Sequence, residues 1–162
     1  MNDQAFDRLV GMLDYTMFVV TTRAGGELSG CLVGFATQTS LQPSRFMVGI
    51  SRKNHTFAAA ARAEHLAVHV LARRDTELAR LFGGRTGDDI DKFAYCSWTE
   101  GPAQMPILDD AVAWFVGKTV SRVDVGDHLG YLLEPIAAHA PEQVGQLLAF
   151  SDVADIEPGH PA

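Results

Sequence analysis

The chain has 162 residues, enough for one domain with a sizeable core and too few for two of ordinary size. Hydrophobic residues at 47% and charged residues at 20% exclude a disordered or fibrous chain, and a net charge of −7 with few clustered cations argues against a nucleic-acid partner. Two cysteines, Cys31 and Cys96, have no CxxC spacing or nearby histidine cluster and signal neither a disulfide framework nor a zinc site; with no membrane span and no signal peptide in the pattern, a cytoplasmic protein away from membranes is expected.

Residues 3 to 13, DQAFDRLVGML, place Phe6, Leu9, Val10 and Leu13 at helical spacing, with Asn2 or Asp3 to cap the start. MFVVTT (17 to 22) is a predicted strand, and the turn Ala24-Gly25-Gly26-Glu27 returns the chain into a second strand running to about Ala36, a hairpin. A polar loop of Thr, Gln and Ser then leads to a third strand, FMVGIS (46 to 51), followed by a helix over FAAAARA (57 to 63). HLAVHVLA (65 to 72) alternates as a buried strand does. DTELARLFGG (75 to 84) is a predicted helix capped by Asp75 and ended by Gly83-Gly84. Residues 84 to 108 carry Gly, Pro and polar side chains and predict a long, partly structured excursion over the surface. Two further strands, 111 to 126 and 127 to 140, precede a last one at 147 to 153 and a frayed tail. Long hairpins separated by short helices favour an α+β fold built on an antiparallel β-barrel over a doubly wound parallel sheet. One domain is expected over 1–162, with its core at about 10–153.

The stretch from Ser51 to Thr56 gathers chemistry. Asn54 is a good N-cap for the helix behind it, so free backbone N–H groups at residues 55 to 57 form a small positive site. Arg52 and Lys53 stand beside it, and Ser51 and Thr56 offer hydroxyls, a set able to hold one phosphomonoester. A plain strand-to-helix turn with a solvated basic pair fits the same residues. Upstream, Thr37, Gln38, Thr39 and Ser40 present polar side chains and backbone that can pair with the edge of a planar heterocycle. Neither GxGxxG after a strand nor GxxxxGK[ST] occurs, so a Rossmann or P-loop site is excluded; GxSxG and HExxH are absent too. His65 and His69 share one face of a strand and read as structural rather than as metal ligands. Asp88-Asp89 and Asp109-Asp110 read as solvated turns rather than acid/base pairs.

Three places resemble the flavin reductase-like FMN-binding domains, which have a split antiparallel β-barrel with short flanking helices: Thr37 to Pro43, Ser51 to Thr56 with its helix, and Gly126-Asp127-His128. Lys92-Phe93, Trp98, Pro106-Ile107-Leu108 and Ala113-Trp114 stand in the matching order. The resemblance implies a homodimer binding FMN, or FAD, near its subunit interface. The isoalloxazine would lie along Thr37, Gln38, Thr39 and Ser40, and the phosphate at Ser51, Arg52, Lys53, Asn54 and Thr56. Phe93 would cover the flavin, and His128 is similar to the family histidine near the nicotinamide. Such proteins take a hydride from NADH or NADPH and supply reduced flavin to a partner monooxygenase; a non-catalytic flavin or electron carrier is the alternative. The chain departs from the family pattern at Gln38, Ser44, Arg45, Leu133 and Pro135, and Pro135, which lacks an N–H, predicts a sheet edge or a bulge.

Overall fold

The computed structural model describes residues 3–84 and 90–156. In chain order the elements are α1 (Asp3–Gly11), β1 (Phe18–Ala24), β2 (Glu27–Val33), β3 (Ala36–Leu41), β4 (Ser44–Ser51), α2 (His55–Arg62), β5 (His65–Val70), α3 (Thr76–Gly83), β6 (Trp98–Glu100), β7 (Pro106–Leu108), β8 (Ala113–Asp124), β9 (His128–His139) and α4 (Phe150–Val153). Seven strands form one antiparallel sheet in the order β2-β1-β5-β8-β9-β4-β3, and β6 and β7 form a separate small hairpin.

Local chemistry explains the joints of this chain. Gly25 and Gly26 have φ of +58° and +84°, the left-handed pair that a two-residue hairpin between β1 and β2 requires. Asp75 accepts a hydrogen bond from Leu78 N and starts α3, which Gly84 ends, as the sequence predicts. In α2, Thr56, Ala59 and Ala60 recur at helical spacing and are its buried residues, so one narrow face packs on the sheet.

The sheet curls so that its two ends share one core. Val20, Cys31 and Val33 from β1 and β2 meet Val48 and Ile50 from β4 and Tyr131 and Leu133 from β9. Among the described residues no ladder joins β2 to β3, so the observed architecture is α+β with a curled antiparallel sheet. A second core lies under α3, where Met17, Val19, Leu71, Leu78, Phe82 and Leu108 pack together. Pro135 stands at a bulge: Gly117 pairs with Pro135 and Val116 with Ala137, so Ile136 is skipped. That is the irregularity expected where a strand residue has no N–H to donate.

Three expectations need correction. The polar segment 36–41 is not a loop but the edge strand β3, paired along one side with β4 and bulged between Gln38 and Ser40. Residues 147–153 are not a strand; they make isolated bridges, Thr16 to Ala149 and Ala72 to Leu147, and then the turn of helix α4. The tail up to Ile156 is not frayed either. Leu148 and Val153 are buried in the core under α3, Leu148 N donates to Leu71 O at 2.9 Å, and Asp14 accepts from Ser151 N and Oγ at 3.0 and 2.6 Å. Those hydrogen bonds hold the Asp14 carboxyl below its ordinary range. The excursion 84–108 carries a 3-10 turn at Lys92–Tyr95 and the β6–β7 hairpin; Asp88-Asp89 lie outside the described residues.

Candidate functional site: the cavity at the start of α2

β4 ends at Ser51, and the chain turns through residues 52–54 into α2. Asn54 has an extended backbone and its Oδ1 accepts from Thr56 N at 2.9 Å, while Ser51 Oγ accepts from Lys53 N at 3.3 Å. The turn is therefore shaped by its own short polar side chains, with the positive end of a helix behind it. The β8–β9 turn closes on the same place: Ser51 pairs with His128, and Arg52 N donates to Asp127 O at 3.1 Å.

A cavity of about 310 Å³ opens here. Ser51, Asn54, His55 and Lys92 contribute its polar wall, and Cys31, Val33, Ile50 and Phe82 its apolar wall. Phe35 and Phe150 are exposed at its rim. The Phe35 ring lies 4.9 Å from that of His128, and Phe150 stacks on Tyr15 at 5.1 Å with 20° between planes. Polar groups beside a helix N-terminus, with aromatic rings close by, suit an amphiphilic ligand that has an anionic end and a flat ring.

The structure separates the expected site residues into groups. Ser51, Asn54 and His128 all line the cavity. His128 Nδ1 bonds Asp127 Oδ1 at 2.7 Å, which fixes the ring and leaves Nε2 for another partner; the same bond holds the Asp127 carboxyl below its ordinary range. Arg52 turns away to Asp124 at 3.3 Å and to Gly126 O at 3.4 Å, and Lys53 is exposed; neither lines the cavity. Asp124 is held low first by its bond from Gly126 N and then by Arg52. Thr56 faces the interior, where its hydroxyl meets that of Ser29 at 2.9 Å, because the buried stripe of α2 begins at this residue. Thr37, Gln38, Thr39 and Ser40 stand on β3. Thr37 pairs with Met47, four residues before Ser51, so it is ~13 Å along the strand from the turn. Gln38 Nε2 bonds Ser40 O at 3.1 Å, within the bulge. Phe93 does not cover the cavity: it is 6% exposed, packed edge-on against Phe82 and Trp98 in the core under α3.

The sequence model of the flavin reductase like domain matches residues 10–155. The chain belongs to the flavin reductase-like domain family. The reductase component of the flavin-dependent trigonelline monooxygenase of Acinetobacter baylyi is 31% identical to this flavin reductase-like chain over 68% of the chain and 34% of its own length. The FMN reductase (NADH) RutF of Methylorubrum extorquens is 31% identical over 83% of the chain and 66% of its own length. The chain thus spans about a third of the first relative and two thirds of the second. Among solved structures, the NADH:FAD oxidoreductase SgcE6 of Streptomyces globisporus superposes with a TM-score of 0.81 at 25% identity, covering 91% of the chain and 88% of that protein.

In this flavin reductase-like chain the cavity also recruits residues that spacing does not reveal. Lys92 comes from the excursion after α3, Cys31 from β2, and Tyr15 and Phe150 from opposite ends of the sequence. Burial pushes the Cys31 thiol up to about 11, so it stays a neutral wall group at ordinary pH. His55, the first residue of α2, also lines the cavity, with Nε2 3.4 Å from Glu27 Oε1. Among the described residues no group of three His, Cys, Asp or Glu side chains could hold a metal ion, and no helix is long and apolar enough to cross a membrane.

Proposed function

We propose that the chain is an NADH-dependent flavin reductase that binds FMN, with FAD as an alternative, in the cavity at the start of α2. The observation that carries this reading is the juxtaposition of a capped helix N-terminus with His128 and Phe35 in one cavity of about 310 Å³, large enough for a cofactor's reactive half. The bound flavin supplies the two-electron chemistry, accepting a hydride from NADH. The protein's part is to bind and orient. Ser51, Asn54 and the positive end of the α2 dipole receive the phosphate end. The β3 edge, Thr37 to Ser40, lies in the direction the ring system would run, beyond the cavity wall at Phe35. His128, fixed by Asp127, holds its Nε2 toward the nicotinamide carboxamide, and Phe35 packs behind the His128 ring.

In this reading the curled sheet is the split barrel of the family. The chain works as a homodimer that delivers reduced flavin to a monooxygenase, as the naming of the Acinetobacter relative suggests. Support for the dimer comes from α1, which has no buried residue: Phe6, Leu9 and Val10 on its apolar side, and Leu13 just beyond its end, are all exposed in one chain. Sedimentation equilibrium should give twice the mass of one chain; a single-chain mass at micromolar concentration would contradict the dimer.

The enzymatic reading is tested through His128. His128→Asn, which keeps a polar side chain but cannot reproduce the imidazole's reach, should lower kcat for NADH oxidation with added FMN by roughly ten- to a hundred-fold, the cost of a misplaced nicotinamide. FMN affinity should change little. Wild-type protein without NADH oxidation, or a variant with wild-type kcat, would sink the corresponding part of the proposal.

A further inference from the structure

Lys92 is the one charged side chain among the described residues that is almost wholly buried, at 6% exposure. Its Nζ donates to Phe82 O at 2.9 Å and Gly30 O at 3.2 Å and lies 5.7 Å from the centre of the Phe82 ring. No carboxylate pairs with it among the described residues. An ammonium has three N–H donors, and two are used. Burying a cation without a counter-ion is costly, and the burial pushes the Lys92 ammonium below its ordinary pKa. The Phe82 carbonyl belongs to the last turn of α3, where a cation is favoured, but that contact is a partial charge on an exposed-scale interaction and does not neutralise a buried one.

The surroundings offer a place for an anionic ligand. Lys92 forms part of the same cavity wall as Ser51, Asn54 and His55. Cys31 of β2 stands on the same wall, close enough for the Lys92 charge to act on its thiol. The two cations that stand next to this turn in sequence, Arg52 and Lys53, do not line the cavity, and Arg52 is already paired with Asp124. A phosphate monoester carries between one and two negative charges near neutral pH and accepts strong, charge-assisted hydrogen bonds.

We infer that Lys92 is the charged partner of the flavin phosphate and the residue that makes this cavity select FMN over riboflavin. The inference rests on the flavin-binding reading above and adds to it a residue and a selectivity. The ammonium is held by two main-chain carbonyls with its third N–H free for the phosphate, so the site is organised before the ligand arrives.

The test is the affinity of wild type and Lys92→Gln for FMN and for riboflavin, each followed by quenching of flavin fluorescence. Riboflavin has the same ring and ribityl chain and lacks the phosphate. Wild type is expected to prefer FMN, and Lys92→Gln to lose about thirty-fold in FMN affinity with riboflavin affinity unchanged, the loss typical of a hydrogen bond to a charged group. Should the Gln variant not fold, Lys92→Met, with an apolar chain of similar length in the buried position, carries the same expectation. Equal losses for both flavins would mean that Lys92 only ties β2 to α3, and unchanged FMN affinity would place the phosphate elsewhere; either overturns the inference while leaving flavin binding intact. Wild type that binds neither flavin would overturn the flavin reading itself.

Discussion

Phe82→Ala should destabilise the protein by about 4 kcal/mol and lower Tm by about 12 °C, the effect of emptying a large aromatic site in a packed core. Phe82 is 1% exposed and packs edge-on against Phe93 at 5.5 Å. It also fills the space that Gly30 leaves open: a Cβ at Gly30 would stand 2.8 Å from the Phe82 ring. The ring thus joins α3 to β2 at the place where Lys92 bonds the carbonyls of both, and it forms part of the cavity wall. The surrounding Met17, Leu78 and Leu108 come from separate parts of the chain, each fixed by its own backbone, and cannot all move in to fill the gap. Thermal and urea unfolding of wild type and variant measure the cost. A loss below 1 kcal/mol would mean that the packing under α3 is not what the structure describes.

A second large effect follows from His69. Its side chain is fully buried in β5, its Nδ1–H donates to Val19 O at 2.9 Å, and its Nε2 accepts from Leu108 N at 3.1 Å. One neutral imidazole therefore joins β1, β5 and β7, with both nitrogens satisfied. Burial pushes its pKa down from 6.5 to about 4, only partly offset by the bond to Val19. The folded value is depressed, so the unfolded chain binds the proton first. The stability is fully present above pH 6.5 and is lost progressively as pH falls from 6.5 toward 4. The shift corresponds to roughly 3 kcal/mol across that window. His69→Asn removes this titration. The difference in unfolding free energy between wild type and variant should therefore shrink as pH drops from 7 to 4.5. A difference that stays constant over that range would show that His69 is not held neutral by burial.

What was legible in the sequence was local. Asn54 and Asp75 announced their helices because a cap is satisfied by side chains two or three residues away, and Gly25-Gly26 announced a hairpin because only glycine takes that pair of angles cheaply. His65 and His69 read as structural, and His69 has its two bonds inside the core. β3 was missed because strand patterning is really a record of half-burial, and Thr37, Gln38 and Thr39 on an open edge are all exposed. The apolar run Leu147 to Phe150 looked like a strand, but Leu148 reaches the core through single bridges rather than a ladder.

The candidate site was legible in outline and not in its members. Ser51, Asn54 and His128 do meet in one cavity, because turn and strand start are adjacent across β4 and β9. Lys92 was invisible as a site residue: its carbonyl partner Gly30 is 62 residues away, and no spacing rule links a 3-10 turn to a strand that distant. Phe93 and Thr56 stand outside the cavity wall for the opposite reason. Both lie beside site residues in the sequence, yet each turns its side chain into the core.

The most direct measurement is the absorption spectrum of the purified protein with one equivalent of FMN under anaerobic conditions, before and after NADH is added. The account predicts bound-flavin bands that bleach on mixing with NADH and return when air is admitted. Bands that persist through a large excess of NADH would leave a flavin carrier and remove the reductase, and a spectrum identical to free FMN would contradict flavin binding altogether.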